Sequence, residues 1–214
     1  EVSRRSGRPV SFGFHQHDHR PQLYRRIMEL AHQANVNGAV VRPQTSARSV
    51  GMLYSLGTRT PFDDAPGWRE LHGRSPADGL AALRDAGTRE ALVAAAERHG
   101  TTIDLDSLFV VTPLTADGGA RYDLDPALSI GGIARDRGIS GPAAYAELLV
   151  ETDGSLVCSR PFLNKRLDAL EEMLADPLVV IGLADAGAHV GEILDASQPT
   201  WFLSYWIGER KCWS

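Results

Sequence analysis

Two stretches of the sequence hold side chains of the kind that carry out hydrolytic chemistry. The first contains the carboxylate Asp185, which follows the continuous apolar run Leu178 to Leu183. Such a run, bounded by turn residues, is typical of a strand buried on both faces of a parallel sheet. A carboxylate at the carboxyl end of that strand can bind a cation and accept a proton from water, and His189 lies close by in the sequence. Alternatively, Asp185 caps the following turn and His189 is a loop histidine.

The second stretch is a histidine cluster near the N-terminus, His15-Gln16-His17-Asp18-His19. On an extended backbone, residues two apart project to the same face, so His15, His17 and His19 can converge on one metal ion. Imidazole nitrogen is a common zinc ligand, and we therefore predict zinc as the cofactor, bound by His15, His17 and Asp185. Alternatively, Asp18 caps the next helix and the histidines are solvated.

Polar side chains downstream of Asp185 are candidates for substrate binding. Asp195, Ser197 and Thr200 can line a pocket beside Asp185, although Ser197 or Thr200 can instead open the helix that follows. The sequence contains no GxSxG, GxxxxGK[ST], GxGxxG or HExxH motif. These absences argue against a serine hydrolase, a nucleotide-binding enzyme and a thermolysin-like protease.

Strands and helices alternate in the part of the chain that contains the histidine cluster. Residues 8–14 are predicted to form a strand, the apolar spacing over 23–34 predicts a helix that ends at Gly38, and residues 39–42 are predicted to form a second strand. This β-α-β unit is the building block of parallel sheets. Residues 44–76 carry many glycines and prolines without a sustained period, and they are predicted as a long irregular segment, a loop with short helical turns.

The rest of the chain is predicted to be mainly helical. The pattern predicts a strand over 108–112 and helices over 75–82, 88–99, 125–138, 141–151, 163–174 and 201–207. The predicted class is α/β, with a partial TIM-barrel-like (β/α) architecture, parallel strands and a long irregular segment. No internal repeat or linker composition divides the chain, so we predict a single domain over 1–214.

The composition narrows the classes of partner. The 214 residues include 22 Lys and Arg against 27 Asp and Glu, a net charge of -5, and no basic run, which argues against nucleic acid. No stretch approaches the roughly 18 consecutive apolar residues of a membrane span, and the N-terminus lacks the apolar core of a signal peptide. We therefore expect a cytoplasmic protein without a membrane partner. Cys158 and Cys212 form no CxxC pair and are expected to be free thiols.

The segment around Asp185 resembles a known family. The string Gly182-Leu183-Ala184-Asp185-Ala186-Gly187-Ala188-His189-Val190-Gly191, followed by Asp195-Ala196-Ser197 and Pro199-Thr200, resembles the eighth-strand region of the amidohydrolase superfamily. It is most similar to the N-acyl-D-amino-acid deacylase (D-aminoacylase) branch. The stretch Gly7-Arg8-Pro9-Val10-Ser11-Phe12, with Arg42-Pro43-Gln44, is similar to the sixth and seventh strands of that branch. The resemblance implies the C-terminal part of a barrel, with the family's other metal ligands expected upstream of Glu1.

The resemblance also implies an activity. In that family the eighth-strand carboxylate, here Asp185, binds the metal and acts as general base for attack on an amide. We therefore expect a metal-assisted hydrolase of a small acylated substrate, either an N-acyl amino acid-like amide or a related ester or lactone. Two alternatives stay open: a metal-free hydrolase in which Asp185 orients His189, and a non-catalytic binding or structural fragment of the barrel.

The predicted architecture has a consequence for assembly. A fragment with about four parallel strands leaves two sheet edges and part of an apolar face open. Closed two-fold symmetry is the commonest arrangement of soluble oligomers. We therefore predict a homodimer, and the alternative is that residues 44–76 fold back over the opening.

Overall fold

The computed structural model describes residues 1–112, 120–182 and 197–213. The chain divides into two compact units. Unit 1 comprises Glu1–Gly51 and Pro161–Ser214, and unit 2 comprises Met52–Arg160. The chain passes from one unit to the other inside two strands, Val50–Ser55 and Val157–Leu163. Because both crossings lie inside strands, no linker composition marks the division in the sequence. This is why a single domain over 1–214 was predicted.

Unit 1 contains a three-stranded parallel sheet. Its strands are β1 (Val10–Gly13), β2 (Val41–Thr45) and β6 (Val180–Ile181), and its helices are α1 (Val2–Ser6), α2 (Leu23–Val36), α8 (Leu167–Ala175) and α9 (Gln198–Trp201). The strand order is β1-β2-β6, with Val10 paired with Val41 and Gln44 paired with Val180. The predicted α/β class and parallel strands are confirmed, and the described residues form an open sheet.

The β1-α2-β2 unit forms as the sequence predicts. Helix α2 ends at Val36, and Gly38 follows with a φ of +80°, a left-handed conformation that glycine adopts without a steric cost. The Asn35 amide nitrogen donates to the Ala31 carbonyl at 2.7 Å, and its oxygen accepts the Val41 N–H at 3.2 Å. Asn35 therefore connects the last turn of the helix to the first residue of β2.

Strand β6 differs from its sequence prediction. The apolar run Leu178 to Leu183 is predicted to be buried on both faces, but Val180 is 42% exposed and Ile181 is 46% exposed. The reason is that β6 lies at the edge of the sheet, where β2 is its neighbour on one side and no strand of the described chain pairs with its other side. The apolar side chains of Val180 and Ile181 are therefore partly exposed to solvent, although their sequence is typical of a buried strand.

Unit 2 contains a second sheet and most of the helices. The strands Val50–Ser55 (β3), Phe109–Val110 (β4) and Val157–Leu163 (β5) lie in the order β3-β5-β4. Strand β4 runs antiparallel to β5, with Val110 opposite Cys158. The other elements are the helices α3 (Trp68–His72), α4 (Pro76–Arg84), α5 (Ala86–His99), α6 (Ile130–Arg137) and α7 (Gly141–Glu151), and the 3-10 turns Leu105–Ser107 and Pro126–Leu128.

Two predictions about these elements are wrong. The segment 44–76, predicted as a long loop with short helical turns, contains the short helix α3 but also the strand β3, which was not predicted. Strand β3 lacks a period-two signal because residues on both of its faces are buried or half-buried. The helix predicted over 163–174 begins only at Leu167, because Leu163 belongs to β5 and Asn164 has a φ of +53°. A left-handed residue interrupts a right-handed helix at that point.

The large hydrophobic core of the described chain lies in unit 2. Phe62, Trp68 and Tyr145 meet at its centre, with ring centroids 5.3 Å apart for Phe62 and Trp68 and 5.7 Å apart for Phe62 and Tyr145. The Trp68 indole N–H donates to the Leu92 carbonyl at 3.0 Å, so this buried polar group is satisfied. By contrast, every exposed large hydrophobic side chain of the described residues belongs to unit 1.

The C-terminal segment of unit 1 is anchored by aromatic residues. After α9 the chain continues as a π-helical stretch, Phe202–Glu209, in the region of the helix predicted over 201–207. Trp206 is fully buried, and its indole N–H donates to the Ala47 carbonyl at 2.7 Å. Within the three described ranges, no helix is long and apolar enough to cross a membrane.

Candidate functional site

The parallel strands of unit 1 bring three chain segments to one edge of the sheet. Because β1, β2 and β6 run in the same direction, their carboxyl ends lead to His15, Thr45 and Gly182 respectively. The Phe14 N–H donates to the Gln44 carbonyl at 2.8 Å, and the Gly182 N–H donates to the Thr45 carbonyl at 2.9 Å. The carboxyl edge of a parallel sheet is where ligands and substrates bind in α/β folds.

Asn164 joins the ends of β1 and β2 from within this edge. Its side chain is fully buried, and its oxygen accepts the backbone N–H of Gln16 at 2.8 Å. Its amide nitrogen donates to the Ser46 hydroxyl at 2.8 Å and to the Thr45 hydroxyl at 3.1 Å. The backbone N–H of Asn164 also donates to the Gln16 carbonyl at 3.0 Å. One side chain therefore fixes the loop after β1 and the loop after β2.

His15 contacts this buried network. Its Nδ1 atom lies 3.4 Å from the amide nitrogen of Asn164, and the side chain is half-buried. Burial, and then the neighbouring His17, lower the pKa of His15 below its usual value. The imidazole is therefore neutral at neutral pH and can donate one hydrogen bond and accept another.

His19 does not lie on an extended backbone, which the three-histidine prediction requires. The Arg20 N–H donates to the His17 carbonyl at 3.1 Å, so the chain turns at His17 and His19 lies within the turn. The rings of His17 and His19 are neighbours, with their centroids 5.4 Å apart and their planes tilted by 59°. The turn removes His19 from the common face predicted for the three histidines, and the placement of His15 and His17 on one face stays a prediction.

Asp18 has a different role from the helix cap that was the alternative prediction. The residue at the start of α2 is Gln22, and no side chain caps that end. Asp18 accepts a hydrogen bond from the Gln16 amide at 3.2 Å and pairs with Lys165 at 2.9 Å. Burial opposes ionisation of Asp18, but the hydrogen bonds from Lys165 and Gln16 prevail and hold the pKa of Asp18 below its usual value.

The residues present do not fit zinc coordination by His15. A zinc-bound histidine ligates through one ring nitrogen and donates the N–H of the other to an acceptor. At His15, however, Nδ1 faces the amide nitrogen of Asn164, which is a donor. Across residues 1–112, 120–182 and 197–213, no group of three or more His, Cys, Asp or Glu side chains is arranged to hold a metal ion. Zinc bound by His17 and Asp185 stays a prediction.

The predicted substrate-binding residues Ser197 and Thr200 lie at α9 on the protein surface. Both are exposed, and the Thr200 hydroxyl donates to the Ser197 carbonyl at 2.8 Å. Their neighbour Gln198 is buried, and its side-chain oxygen accepts the Ala47 N–H at 2.9 Å. Helix α9 is therefore held against the loop that follows β2. The predicted residues Asp185, His189 and Asp195 lie outside the described residues.

Several buried polar residues near this edge were not predicted from the sequence, among them Gln16, Thr45 and Ser46 of the Asn164 network. Three further ones are Asn164, Gln198 and Arg48. Arg48 is 2% exposed, and its guanidinium donates to the Ser49 carbonyl at 3.3 Å. Asn164 and Arg48 stand in stretches without a motif, and Gln198 lies between the matched residues Ser197 and Pro199 of the family resemblance, so residue type and spacing carry no signal of burial. The run Gln44-Thr45-Ser46 directly after a predicted strand is the one feature that could have indicated a polar strand end.

No protein-family model matches the chain, and comparison with curated proteins and with solved structures also finds no match.

Proposed function

We propose that the chain is a hydrolase of the amidohydrolase type that cleaves the acyl bond of a small substrate at the carboxyl edge of the β1-β2-β6 sheet. The observation that carries the proposal is the parallel pairing of β6 with β2. Because of this pairing, the strand that leads towards Asp185 ends at the same edge as the strand that leads to His15. Asp185 follows Gly182 by three residues, and a chain of that length spans at most about 11 Å.

In the proposed reaction Asp185 is the general base. It removes a proton from water, the water oxygen attacks the acyl carbon, and the proton passes to the leaving amine or alcohol as the acyl bond breaks. Asp195, Ser197 and Thr200 are the proposed substrate-binding residues, and His189 is the imidazole that Asp185 would orient in a metal-free variant of the mechanism. The substrate class is an N-acyl amino acid-like amide or a related ester or lactone.

The finer fold assignment is part of the same proposal. The β1-α2-β2 unit and the parallel β6 are compatible with one segment of a (β/α) barrel of the kind seen in the amidohydrolases. Val180 and Ile181 of β6 are apolar but exposed at the edge of the sheet. In a closed barrel the corresponding strand has a neighbouring strand on both sides, and an apolar sequence suits that position.

A second candidate is a non-catalytic structural or binding fragment. It is favoured by the hydrogen bonds of Asn164, which are made within the chain and leave the ends of β1 and β2 joined without any ligand. A network of this kind also occurs where a polar side chain only stabilises two loops.

An activity panel with matched variants separates the two candidates. The full chain would be incubated with N-acyl amino acids, an activated ester and a lactone, with and without added zinc, and the released product measured. We expect turnover by the wild type and a loss of about 100-fold or more in Asp185→Asn, because the amide cannot accept the proton. Glu29→Gln, which removes an exposed carboxylate on α2, is the control and should retain activity. Equal rates for wild type and a folded Asp185→Asn would contradict the proposal.

A further inference from the structure

The orientation of the Asn164 amide is fixed by the backbone. Its oxygen lies 2.8 Å from the N–H of Gln16, and an N–H can only donate. The oxygen must therefore face Gln16, and the NH2 group must face the other side, towards the hydroxyls of Thr45 and Ser46 and the ring of His15. Rotating the amide by half a turn would place two donors against each other.

The orientation of the amide determines which nitrogen of His15 carries the proton. A neutral imidazole has one N–H, on either Nδ1 or Nε2. The amide nitrogen that faces Nδ1 cannot accept a hydrogen bond, so a proton on Nδ1 would point at a donor. The two hydrogens of the NH2 group are directed to the Ser46 and Thr45 hydroxyls at 2.8 and 3.1 Å, so Nδ1 at 3.4 Å shares one of them. A proton on Nε2 leaves the lone pair of Nδ1 facing this donor group, whereas a proton on Nδ1 would be repelled by it.

Gly13 lies beside Nε2 of His15. A Cβ atom added to Gly13 would lie 3.8 Å from Nε2 of His15, and apart from Gly13 and its two chain neighbours no other heavy atom of the described residues would lie within 4 Å of it. Gly13 is the last residue of β1 and is exposed. Because residue 13 is a glycine, no side chain at this position covers the Nε2 proton.

From these three observations we infer that Asn164 is a positioning residue that holds His15 in the Nε2–H form, and that His15 donates a hydrogen bond to the acyl oxygen of the substrate instead of binding zinc. The inference rests on the proposed function for the identity of the acyl group. As water adds to the acyl carbon, the carbonyl electron pair moves onto the oxygen, and the Nε2–H stabilises the charge that develops there without transferring its proton.

Nuclear magnetic resonance of the full chain tests the protonation state independently of activity. With ¹⁵N-labelled histidine in mildly alkaline buffer, the couplings from the ring carbon-bound protons show which nitrogen is protonated, and His15→Gln identifies the His15 signals. We expect Nε2–H in the wild type. In Asn164→Asp, the carboxylate keeps an acceptor for Gln16 and presents an acceptor to Nδ1, so we expect the proton to move to Nδ1. Wild-type His15 protonated on Nδ1 would overturn the inference.

A second variant covers failure of the first to fold. Asn164→Gly keeps a residue that tolerates the φ of +53° and removes the amide, so we expect a mixture of the two protonation forms. If His15 stays entirely in the Nε2–H form in Asn164→Gly, Asn164 does not select it and the inference is wrong. Titration with zinc alone should give the same affinity for the wild type and His15→Ala, and a weaker affinity in the variant would also contradict the inference.

The activity measurement separates this inference from the proposed function. For an active wild type, loss of one donor to the developing oxyanion lowers kcat by about 100-fold with little change in KM. We expect this loss in His15→Phe and partial recovery in His15→Gln, whose side-chain amide can donate. An inactive wild type with His15 in the Nε2–H form would refute the proposed hydrolase while leaving the positioning role of Asn164 intact. Full activity in a folded His15→Phe would refute the donor role alone.

Discussion

The Tyr24 hydroxyl donates a hydrogen bond of 2.6 Å to the Glu172 carboxylate and so joins α2 to α8 within unit 1. Arg25 pairs with the same carboxylate at 2.7 Å. Burial, and then the hydrogen bond to Glu172, raise the pKa of Tyr24 to about 12. The phenol stays protonated because its anion would lie beside a carboxylate.

This relationship predicts the alkaline titration of Tyr24. In Glu172→Gln the negative charge is gone while the burial remains, so we expect the pKa of Tyr24 to fall from about 12 towards, but not to, the usual value for tyrosine. The measurement is the ultraviolet absorbance of tyrosinate as a function of pH, with Tyr24→Phe to identify the signal. An unchanged titration in Glu172→Gln would show that the carboxylate does not perturb Tyr24.

Removal of the Asn164 side chain should destabilise the protein. Asn164→Ala leaves the Gln16 N–H without its acceptor in a buried position and places an alanine at a φ of +53°. We expect the free energy of unfolding to fall by about 3 kcal/mol, as measured by urea denaturation. Asn164→Gly should lose about 1 kcal/mol less, because glycine adopts the left-handed conformation without strain. Equal losses for alanine and glycine would argue against the strained backbone.

Replacement of Tyr145 should stabilise the protein, in contrast to replacement of Asn164. The Tyr145 hydroxyl is buried in the core of unit 2, and its oxygen has no hydrogen-bond partner within the described ranges. Because an unpaired buried hydroxyl costs about 1 to 3 kcal/mol, Tyr145→Phe should raise the free energy of unfolding by about 1 kcal/mol. Leu149→Ala, at a fully buried position of the same core, should lower it by about 2 to 5 kcal/mol. A clear loss of stability in Tyr145→Phe would indicate that the hydroxyl is satisfied.

The two cysteines should differ in reactivity. Cys158 is fully buried, and burial raises the pKa of its thiol, while Cys212 is half-exposed. Burial and then Glu171 raise the pKa of Cys212, so its reaction should accelerate as the pH rises. We expect a thiol reagent to modify Cys212 in the native protein and Cys158 only after denaturation. Cys212→Ser should abolish the native reaction, and rapid modification that persists in this variant would show that Cys158 is accessible.

The open edge of β6 leads to a prediction about assembly. Val180 and Ile181 are exposed at 42% and 46%, and Phe12 on β1 is exposed at 38%. We expect the wild type to scatter light as a dimer of the 23.2 kDa chain and the double variant Val180→Thr, Ile181→Thr to scatter as a monomer. Val36→Thr, at the exposed end of α2, is the control and should leave the mass unchanged. A wild type that is monomeric at every concentration would rule out the dimer.

The sequence by itself determined the local elements whose signals are short-range. The apolar spacing before Gly38 and the flanking strands were enough to predict the β1-α2-β2 unit, because helix period, helix stop and β-propensity all act within a few residues. The serines and aspartates before the helices of unit 2 acted in the same way: the Ser140 side chain accepts the Ala143 N–H at the start of α7.

Only the tertiary structure decided how strands pair and which polar residues are buried. Strand β3 has no alternation in its sequence, and β6 has a sequence typical of a buried strand although it lies at an edge, because burial depends on neighbours that are distant in the chain. The carboxyl edge shows the same dependence. His15 stands out from the sequence as a histidine in a cluster, but its partner Asn164 is 149 residues away, and the chemistry of the ring depends on that contact.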